Sequence, residues 1–238
     1  MKEDAVAYTS VADDALCSSP ALYLVADTSR LASIEGLLKR GFDVFMAALF
    51  LVLLSPALLV IALLVKKSGP GPVLFVQERI GKDGRPFRFY KFRTMTHNSD
   101  DAIHRQFASM FINGGGSSDG NIYKMTDDPR VTAIGQWLRK TSMDELPQLL
   151  NVLCGEMSIV GPRPPLAYEI EHYQAWHHER LRVLPGLTGL WQVSGRSNVT
   201  FDEMVRLDIH YINSWSLLFD LRIILRTIPV VLMGTGGY

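Results

Sequence analysis

An uncharged and almost wholly apolar run, residues 44–65, is the strongest pattern in the chain. A transmembrane helix needs about 20 consecutive apolar residues, so this run is long enough to cross a bilayer. Ser55 and Pro56 fall in its middle, where proline removes an intrahelical hydrogen bond and clashes with the preceding turn. The pattern therefore predicts a membrane-inserted helix that bends at Ser55-Pro56. The Ser55 hydroxyl is expected to bond a backbone carbonyl freed at the bend.

Basic residues flank both ends of this run: Lys39 and Arg40 before it, Lys66 and Lys67 after it. The positive-inside rule places both flanks on the cytoplasmic side. Each half of the run is about 15 Å of helix, roughly half of the hydrocarbon core. A re-entrant helix-break-helix over residues 37–67 satisfies both observations. The alternatives are a kinked full span and, less favoured because the run has no polar face, a buried core helix.

Alternation with a period of two follows the apolar run and predicts a β-hairpin whose turn is residues 81–84. In its second strand Phe87, Phe89, Lys91 and Arg93 fall on one face. Two neighbouring cations beside aromatic rings suit a phosphate or diphosphate. The alternative is a solvated basic face or a contact with lipid headgroups.

Helical spacing predominates in the C-terminal part. Residues 204–215 place Asp208 on a partly apolar face, where a lone acid is unusual unless it is paired, so Arg206 or Arg222 is expected nearby. Asp208 is also a candidate substrate- or phosphate-binding residue. Residues 215–233 are amphipathic and suit a membrane-surface helix as well as a core-facing one. The predicted fold class is α+β. It is a mostly helical monotopic membrane protein with a re-entrant helix, a small hairpin and interfacial helices.

Composition narrows the function classes. The chain has 238 residues, and its 24 basic and 24 acidic residues cancel, so no global charge favours a nucleic-acid partner. The two cysteines, Cys17 and Cys154, lie far apart without metal-ligand spacing, which indicates neither a disulfide framework nor a zinc site. A reducing, cytosol-facing location is the expectation.

The domain organisation follows from these patterns. Residues 1–36 lack a secretory signal and are expected to form a flexible extension. The membrane helix hairpin takes residues 37–67, and residues 68–238 form the cytosolic domain. Within that domain the polar, glycine-rich segment 97–124 is expected to be a surface loop. Self-association is left open.

Two adjacent carboxylates, Asp144 and Glu145, stand before a short apolar helix. One interpretation is helix capping, because Ser142 and Glu145 have capping-box spacing and acids in a first turn suit the helix dipole. The other is chemistry, because a first turn offers unpaired N–H groups that keep carboxylates ionised and help hold a phosphate.

Stiffly held cations favour chemistry over capping. Pro162 and Pro164 restrict the backbone on both sides of Arg163, and Arg196 sits at the tip of a glycine-rich loop. Carboxylates and clustered cations at a membrane surface suggest phosphoryl transfer between a soluble donor and a lipid phosphate. One acid can attack phosphorus while the other positions a divalent cation or a proton.

Four segments, in order from about Leu38 to the C-terminus, resemble the bacterial sugar transferase family. They are KRGFDVFMAALFLVLLSPALLVIALLVK, FRFYKFRTM, DDPRVTAIGQWLRKTSMDELPQLLNVLCGEMSIVGPRPP and LPGLTGLWQVSGRS. Members are monotopic polyprenyl-phosphate phosphoglycosyltransferases, which include priming enzymes of exopolysaccharide synthesis. The resemblance implies a location at the cytoplasmic face of the bacterial inner membrane.

The resemblance also implies a mechanism. Asp144 attacks the β-phosphate of a UDP-sugar, UMP leaves, and undecaprenyl phosphate then takes the phosphosugar from the enzyme. Glu145 and Mg²⁺ assist, with Asp144 and Glu145 as the metal ligands, while the Pro-Arg-Pro and Gly-Arg segments lie at the nucleotide and phosphates. The sugar is expected to be a hexose, galactose or glucose.

Two other functions compete with this one. A Leloir glycosyltransferase using Asp127-Asp128 as its metal motif would act on a lipid acceptor and release UDP. A membrane-anchored scaffold would use Asp144 and Glu145 only as a cap, and it would tolerate Asp144→Asn.

Overall fold

The computed structural model describes residues 20–96, 102–113, 130–194 and 199–232, without side-chain detail at 20–33, 102–104, 107 and 232. The start of the predicted N-terminal extension, most of segment 97–124, the pair Asp127-Asp128 and Arg196 lie outside the described residues. The chain divides into two units, Met1–Gly41 and Phe42–Tyr238. In the first unit residues 20–41 are helical.

Helices and short strands make up the described chain, as the predicted α+β class requires. The helices are α1 (Pro20–Lys67), α2 (Ala102–Ile112), α3 (Ala133–Lys140), α4 (Gln148–Cys154), α5 (Ala167–Ile170), α6 (Leu190–Ser194), α7 (Phe201–Asn213) and α8 (Leu217–Leu232). The strands are β1 (Leu74–Ile80), β2 (Pro86–Phe92), β3 (Ser158–Val160) and β4 (Gly186–Thr188). Turns of 3₁₀ helix occur at Lys82–Gly84, Met143–Glu145 and Ala175–Arg182.

Helix α1 carries the apolar run, and its part from Ile34 to Lys67 is long and apolar enough to cross a membrane by length and composition. Proline at position 56 leaves the Val52 carbonyl without its usual donor four residues on. The Ser55 hydroxyl donates to that carbonyl at 2.8 Å, as predicted. Because this bond replaces the missing one, the helix continues through Pro56, and the predicted break is a proline inside one helix. Re-entry into the bilayer stays a prediction.

We predict that single cysteines placed at Lys39 and at Lys67 both react with a membrane-impermeant thiol reagent only from the cytoplasmic side. Pro56→Leu should restore the missing hydrogen bond and favour a straight, spanning helix, so one flank becomes reactive from the periplasm. Leu59→Ala, at an exposed position of the same helix, is the matched control and should leave both flanks unchanged. Periplasmic labelling of one flank without the Pro56 change would mean a full span.

The predicted β-hairpin is confirmed. β1 and β2 are antiparallel, with Gln77 opposite Phe89, and Asp83 supplies the turn with φ 57°. Phe87 and Phe89 point into the main core, where they meet Ala47 of α1. The hairpin is therefore packed against the part of α1 that belongs to the second unit.

A second, parallel pair, β3 and β4, leads into the Pro-Arg-Pro segment. Gly161 and Gly186 approach so closely that a Cβ on either would collide with the backbone of the other. Asp43 of α1 accepts a hydrogen bond from the Ile159 N–H at 3.0 Å, which fastens β3 to the apolar helix. These contacts fix the position at which the Pro-Arg-Pro segment leaves β3.

The segment 97–124 is predicted to be a surface loop, but the structure contains helix α2 within it. Ala108 and Phe111 of this helix are buried at helical spacing. Phe111 packs edge-on against Phe201, so tertiary contacts stabilise a helix that the polar sequence around it did not predict.

Helix α8 is amphipathic as predicted and leaves Leu225 64% exposed. Its contact with a bilayer stays a prediction.

Candidate active site

The turn that carries the two carboxylates is not a helix cap. Ser142 has a left-handed backbone with φ 56°, whereas an N-cap residue needs an extended one, and its side chain makes no capping bond. Asp144 and Glu145 lie in a 3₁₀ turn, and α4 begins only after Pro147. The capping-box interpretation is therefore wrong, and the carboxylates are available for another purpose.

The Glu145 carboxylate accepts a hydrogen bond from the Arg163 guanidinium at 3.1 Å. Both side chains are about a quarter exposed, so this ion pair opens to solvent. Asp144 beside it is only 9% exposed. The sequence prediction that Asp144, Glu145 and Arg163 belong together is thus matched by their placement.

Burial and then the neighbouring Glu145 carboxylate raise the pKa of Asp144 to about 6, against the lowering effects of Lys91, Arg139 and Arg163. A carboxyl with this pKa is ionised at neutral pH but poorly stabilised by water. Additional positive charge, from a ligand or from a conformational change, would stabilise its ionised form.

Lys91 of β2 is the second perturbed group. Burial and then Arg79 lower its pKa to about 8, while Asp144 acts in the opposite direction. Its ammonium lies 5.3 Å from the centre of the Phe75 ring. The predicted position of Lys91 beside an aromatic ring is confirmed, and its contact with phosphate stays a prediction.

Arg163 is held from both sides. The Pro162 carbonyl accepts from the Gly186 N–H at 2.8 Å, and the Pro164 carbonyl accepts from the Arg79 guanidinium at 2.6 Å. Both prolines are buried. The guanidinium of Arg163 therefore projects from a backbone that costs little further entropy to order.

The Arg93 guanidinium makes its hydrogen bonds elsewhere, and its predicted contact with phosphate stays a prediction. Strand β2 ends at Phe92, so the alternation that placed Arg93 beside Lys91 no longer applies. Its guanidinium instead donates to the carbonyls of Val65 at 2.9 Å, Gly69 at 2.8 Å and Pro70 at 2.7 Å. Arg93 caps the C-terminal end of α1.

Asp208 pairs with Arg180 at 2.6 Å, and not with Arg206 or Arg222 as the sequence suggested. Both partners are almost fully buried. Arg180 also donates to the Tyr173 hydroxyl at 3.0 Å and approaches the Arg163 carbonyl at 3.5 Å. The geometry gives Asp208 a supporting role behind the Pro-Arg-Pro segment, and its predicted contact with substrate stays a prediction.

Sequence reasoning missed Arg79 and Arg180, both of which brace the Arg163 backbone. Arg79 had no local signal that separated it from the exposed Lys82 and Arg85. Arg180 lies in a charged stretch, Ala175–Arg182, that is typical of a solvated helix. Arg79 and Arg180 differ from exposed arginines only through contacts with residues that are distant along the chain.

Among the described residues no cluster of three or more histidine, cysteine, aspartate or glutamate side chains could hold a metal ion. Asp144 and Glu145 form a pair of carboxylates at the site. Such a pair fits Mg²⁺, which proteins bind through one or two carboxylates, waters and substrate phosphates. Burial and then the Glu145 carboxylate raise the pKa of Asp144, and a bound cation would favour its ionised form.

A family model, described as bacterial sugar transferase, matches residues 34–234. The chain belongs to the bacterial sugar transferase family, as the four segments predicted.

Particular relatives carry more specific names. The chain is 45% identical over 222 residues to the exopolysaccharide production protein ExoY of Sinorhizobium fredii, covering 93% of this chain and 97% of the relative. It is 45% identical over 205 residues to the galactosyl transferase CpsE of Streptococcus agalactiae, covering 84% and 43%. It is 41% identical over 201 residues to the undecaprenyl-phosphate galactose phosphotransferase of Salmonella typhimurium, covering 84% and 42%. The chain spans less than half the length of the last two.

Proposed function

We propose that this protein transfers a sugar-1-phosphate from a UDP-sugar to undecaprenyl phosphate, releasing UMP. The observation that carries the proposal is a buried carboxylate, Asp144, on a turn that packs against strand β2, which carries Lys91, and next to the Glu145–Arg163 ion pair. That arrangement places one nucleophile among the cations that a diphosphate requires. Family membership and the printed names of the relatives support the same reaction.

In the first step one oxygen of ionised Asp144 attacks the β-phosphorus of the UDP-sugar. A new oxygen–phosphorus bond forms while the bond from that phosphorus to the oxygen of UMP breaks, and UMP leaves with the electron pair. The sugar phosphate is then an acyl phosphate on Asp144. In the second step a phosphate oxygen of undecaprenyl phosphate attacks the same phosphorus, and the Asp144 carboxylate is released.

The surrounding side chains lower the cost of charge in these steps. Lys91 and Arg163 are placed to meet the phosphate oxygens, where preorganised charge stabilises a transition state. Glu145 orients Arg163 through their 3.1 Å contact. Asp144 and Glu145 would hold Mg²⁺, which would supply charge neutralisation for the diphosphate.

Substrates and setting are part of the proposal. The sugar is a hexose, galactose or glucose, in keeping with the galactose named for two relatives. The reaction takes place at the cytoplasmic face of the inner membrane and is the first membrane step of an exopolysaccharide or related glycoconjugate. The apolar helix α1 supports the membrane location.

The test uses the full chain in detergent or nanodiscs with undecaprenyl phosphate, Mg²⁺ and a panel of UDP-sugars. The expected result is UMP, together with a lipid diphosphate sugar. Release of UDP instead would support the Leloir alternative, whose pair Asp127-Asp128 lies outside the described residues. No nucleotide release with any sugar would support the scaffold alternative.

The pH dependence of kcat/KM is predicted to be bell-shaped. The rate should rise through a pKa of about 6 as Asp144 ionises, and fall above about 8 as Lys91 loses its proton. Lys91→Arg keeps a cation that does not titrate in this range, so the alkaline limb should disappear. An alkaline limb near pH 8 that persists in Lys91→Arg belongs to another group.

A further inference from the structure

We infer that Asn151 is a positioning residue that holds Lys91 beside Asp144, acting through strand β2 without touching substrate. The inference rests on the proposed function and adds a residue to its machinery. Asn151 lies in α4, seven positions after Asp144, and it is fully buried.

The Asn151 side chain pairs with the backbone of β2. Its Oδ1 accepts from the Tyr90 N–H at 3.2 Å, and its Nδ2 donates to the Arg88 carbonyl at 2.6 Å. Residues two apart in a strand present their backbone groups on the same edge. One amide side chain thus bonds β2 as a neighbouring strand would. We call this connection of α4 to the strand that carries Lys91, made by Asn151 with Arg88 and Tyr90, the joint.

Glu156 fixes which way the Asn151 amide faces. The second Nδ2 proton goes to the Glu156 carboxylate at 2.7 Å, so the amide nitrogen points to Arg88 and the oxygen to Tyr90. α4 ends at Cys154 and is capped by Gly155, with φ 84°, and the chain turns back so that the Glu156 N–H donates to the Asn151 carbonyl at 3.0 Å. The asparagine is therefore bonded by both its side chain and its backbone.

These bonds connect the strand that carries Lys91 to the helix that follows the turn of Asp144. Tyr90 immediately precedes Lys91, while Asp144 lies on the turn that leads into α4. A shift of β2 along α4 would change the separation of the Lys91 ammonium and the Asp144 carboxylate. Displacements of about 1 Å away from the reacting atoms can reduce turnover about 100-fold.

Asn151→Asp tests the joint, since it keeps the size and the acceptor for Tyr90 but removes both donations and adds a charge beside Glu156. We expect kcat for UMP release, per folded molecule, to fall about 10- to 100-fold, with KM for the UDP-sugar changed less than about threefold. The matched control is Asn113→Asp, at an exposed position where α2 ends. It should leave both constants unchanged.

A double-mutant cycle separates positioning from general damage. If Asn151 acts through Lys91, Asn151→Asp should reduce kcat less than about twofold in a Lys91→Ala background. Adding Glu156→Gln to Asn151→Asp should restore part of the activity, because the new amide can donate to the introduced carboxylate. Equal losses of kcat with and without Lys91 would overturn the inference.

Two further measurements keep the test decisive. Glu156→Ala leaves Asn151 in place but frees its orientation, and it replaces Asn151→Asp in the cycle if that variant does not fold. Amide hydrogen exchange of the peptide containing residues 88–92 reports the joint without any turnover, so it still applies if wild type releases no UMP. The amide hydrogens of this peptide should exchange faster in the variants. Unchanged exchange would show that the Asn151 side chain does not stabilise β2.

Discussion

Asp144→Asn is expected to abolish UMP release, because the variant lacks the carboxylate that is proposed to attack the β-phosphorus. The loss of a helix cap would cost only about 1 kcal/mol of stability and would leave the chemistry intact. Asp83→Asn is the matched control, since Asp83 is exposed in the hairpin turn and asparagine tolerates its positive φ.

Intact mass spectrometry after incubation with a UDP-sugar, without lipid acceptor, is the decisive measurement. Wild type and Asp83→Asn should carry a phosphosugar that maps to Asp144, whereas Asp144→Asn should carry none. Absence of any adduct together with sequential kinetics would sink the covalent mechanism.

The same substitution should not lower the thermal stability at neutral pH. The pKa of Asp144 in the folded state, about 6, lies above its ordinary value of 3.8, so its contribution to stability is present at low pH. That contribution is lost as the pH rises through about 6. A neutral asparagine avoids the cost of the buried charge, so a melting temperature at pH 8 equal to or above that of wild type is expected.

Arg163→Ala is expected to reduce kcat/KM for the UDP-sugar about 100-fold while the domain stays folded. The guanidinium is preorganised between two bonded proline carbonyls, and removing one such charge from a phosphoryl-transfer site typically costs about 3 kcal/mol of transition-state stabilisation. Arg163→Lys should recover little, because an ammonium does not reproduce the planar geometry of a guanidinium.

Arg182→Ala is the control for Arg163. Arg182 also pairs with a glutamate, Glu179 at 2.8 Å, but both side chains are at least half exposed. Exposed pairs contribute little, so neither activity nor melting temperature should change measurably. Full activity of Arg163→Ala at limiting UDP-sugar would show that Arg163 does not bind the phosphates.

The sequence was informative where the signal is local. Asp144 with Glu145, and Arg163 between two prolines, are recognisable because adjacent residues set their own backbone geometry. The partners of Arg93 and Asp208 could not be predicted because they lie 23 residues or more away along the chain. No spacing rule reaches that far, and the register beyond the end of β2 is set by packing.

Segment 97–124 shows a second limit. Its composition is that of a loop, yet α2 forms because Phe111 finds Phe201. Short helices owe most of their stability to tertiary packing and little to intrinsic propensity. The same limit explains why Ser142 and Glu145 matched a capping box although Glu145 pairs with Arg163.

Arg93 fixes the position of strand β2 relative to the end of helix α1. By binding the carbonyls at the end of α1 it joins the apolar helix directly to the strand that carries Lys91. The distance from the apolar helix to the proposed phosphate site is then set by the fold and not by a flexible linker. If the protein transfers a sugar phosphate to a lipid as proposed, the acceptor must bring its phosphate to that depth, and lipids would be selected by where their headgroups lie before any side chain contacts the phosphate.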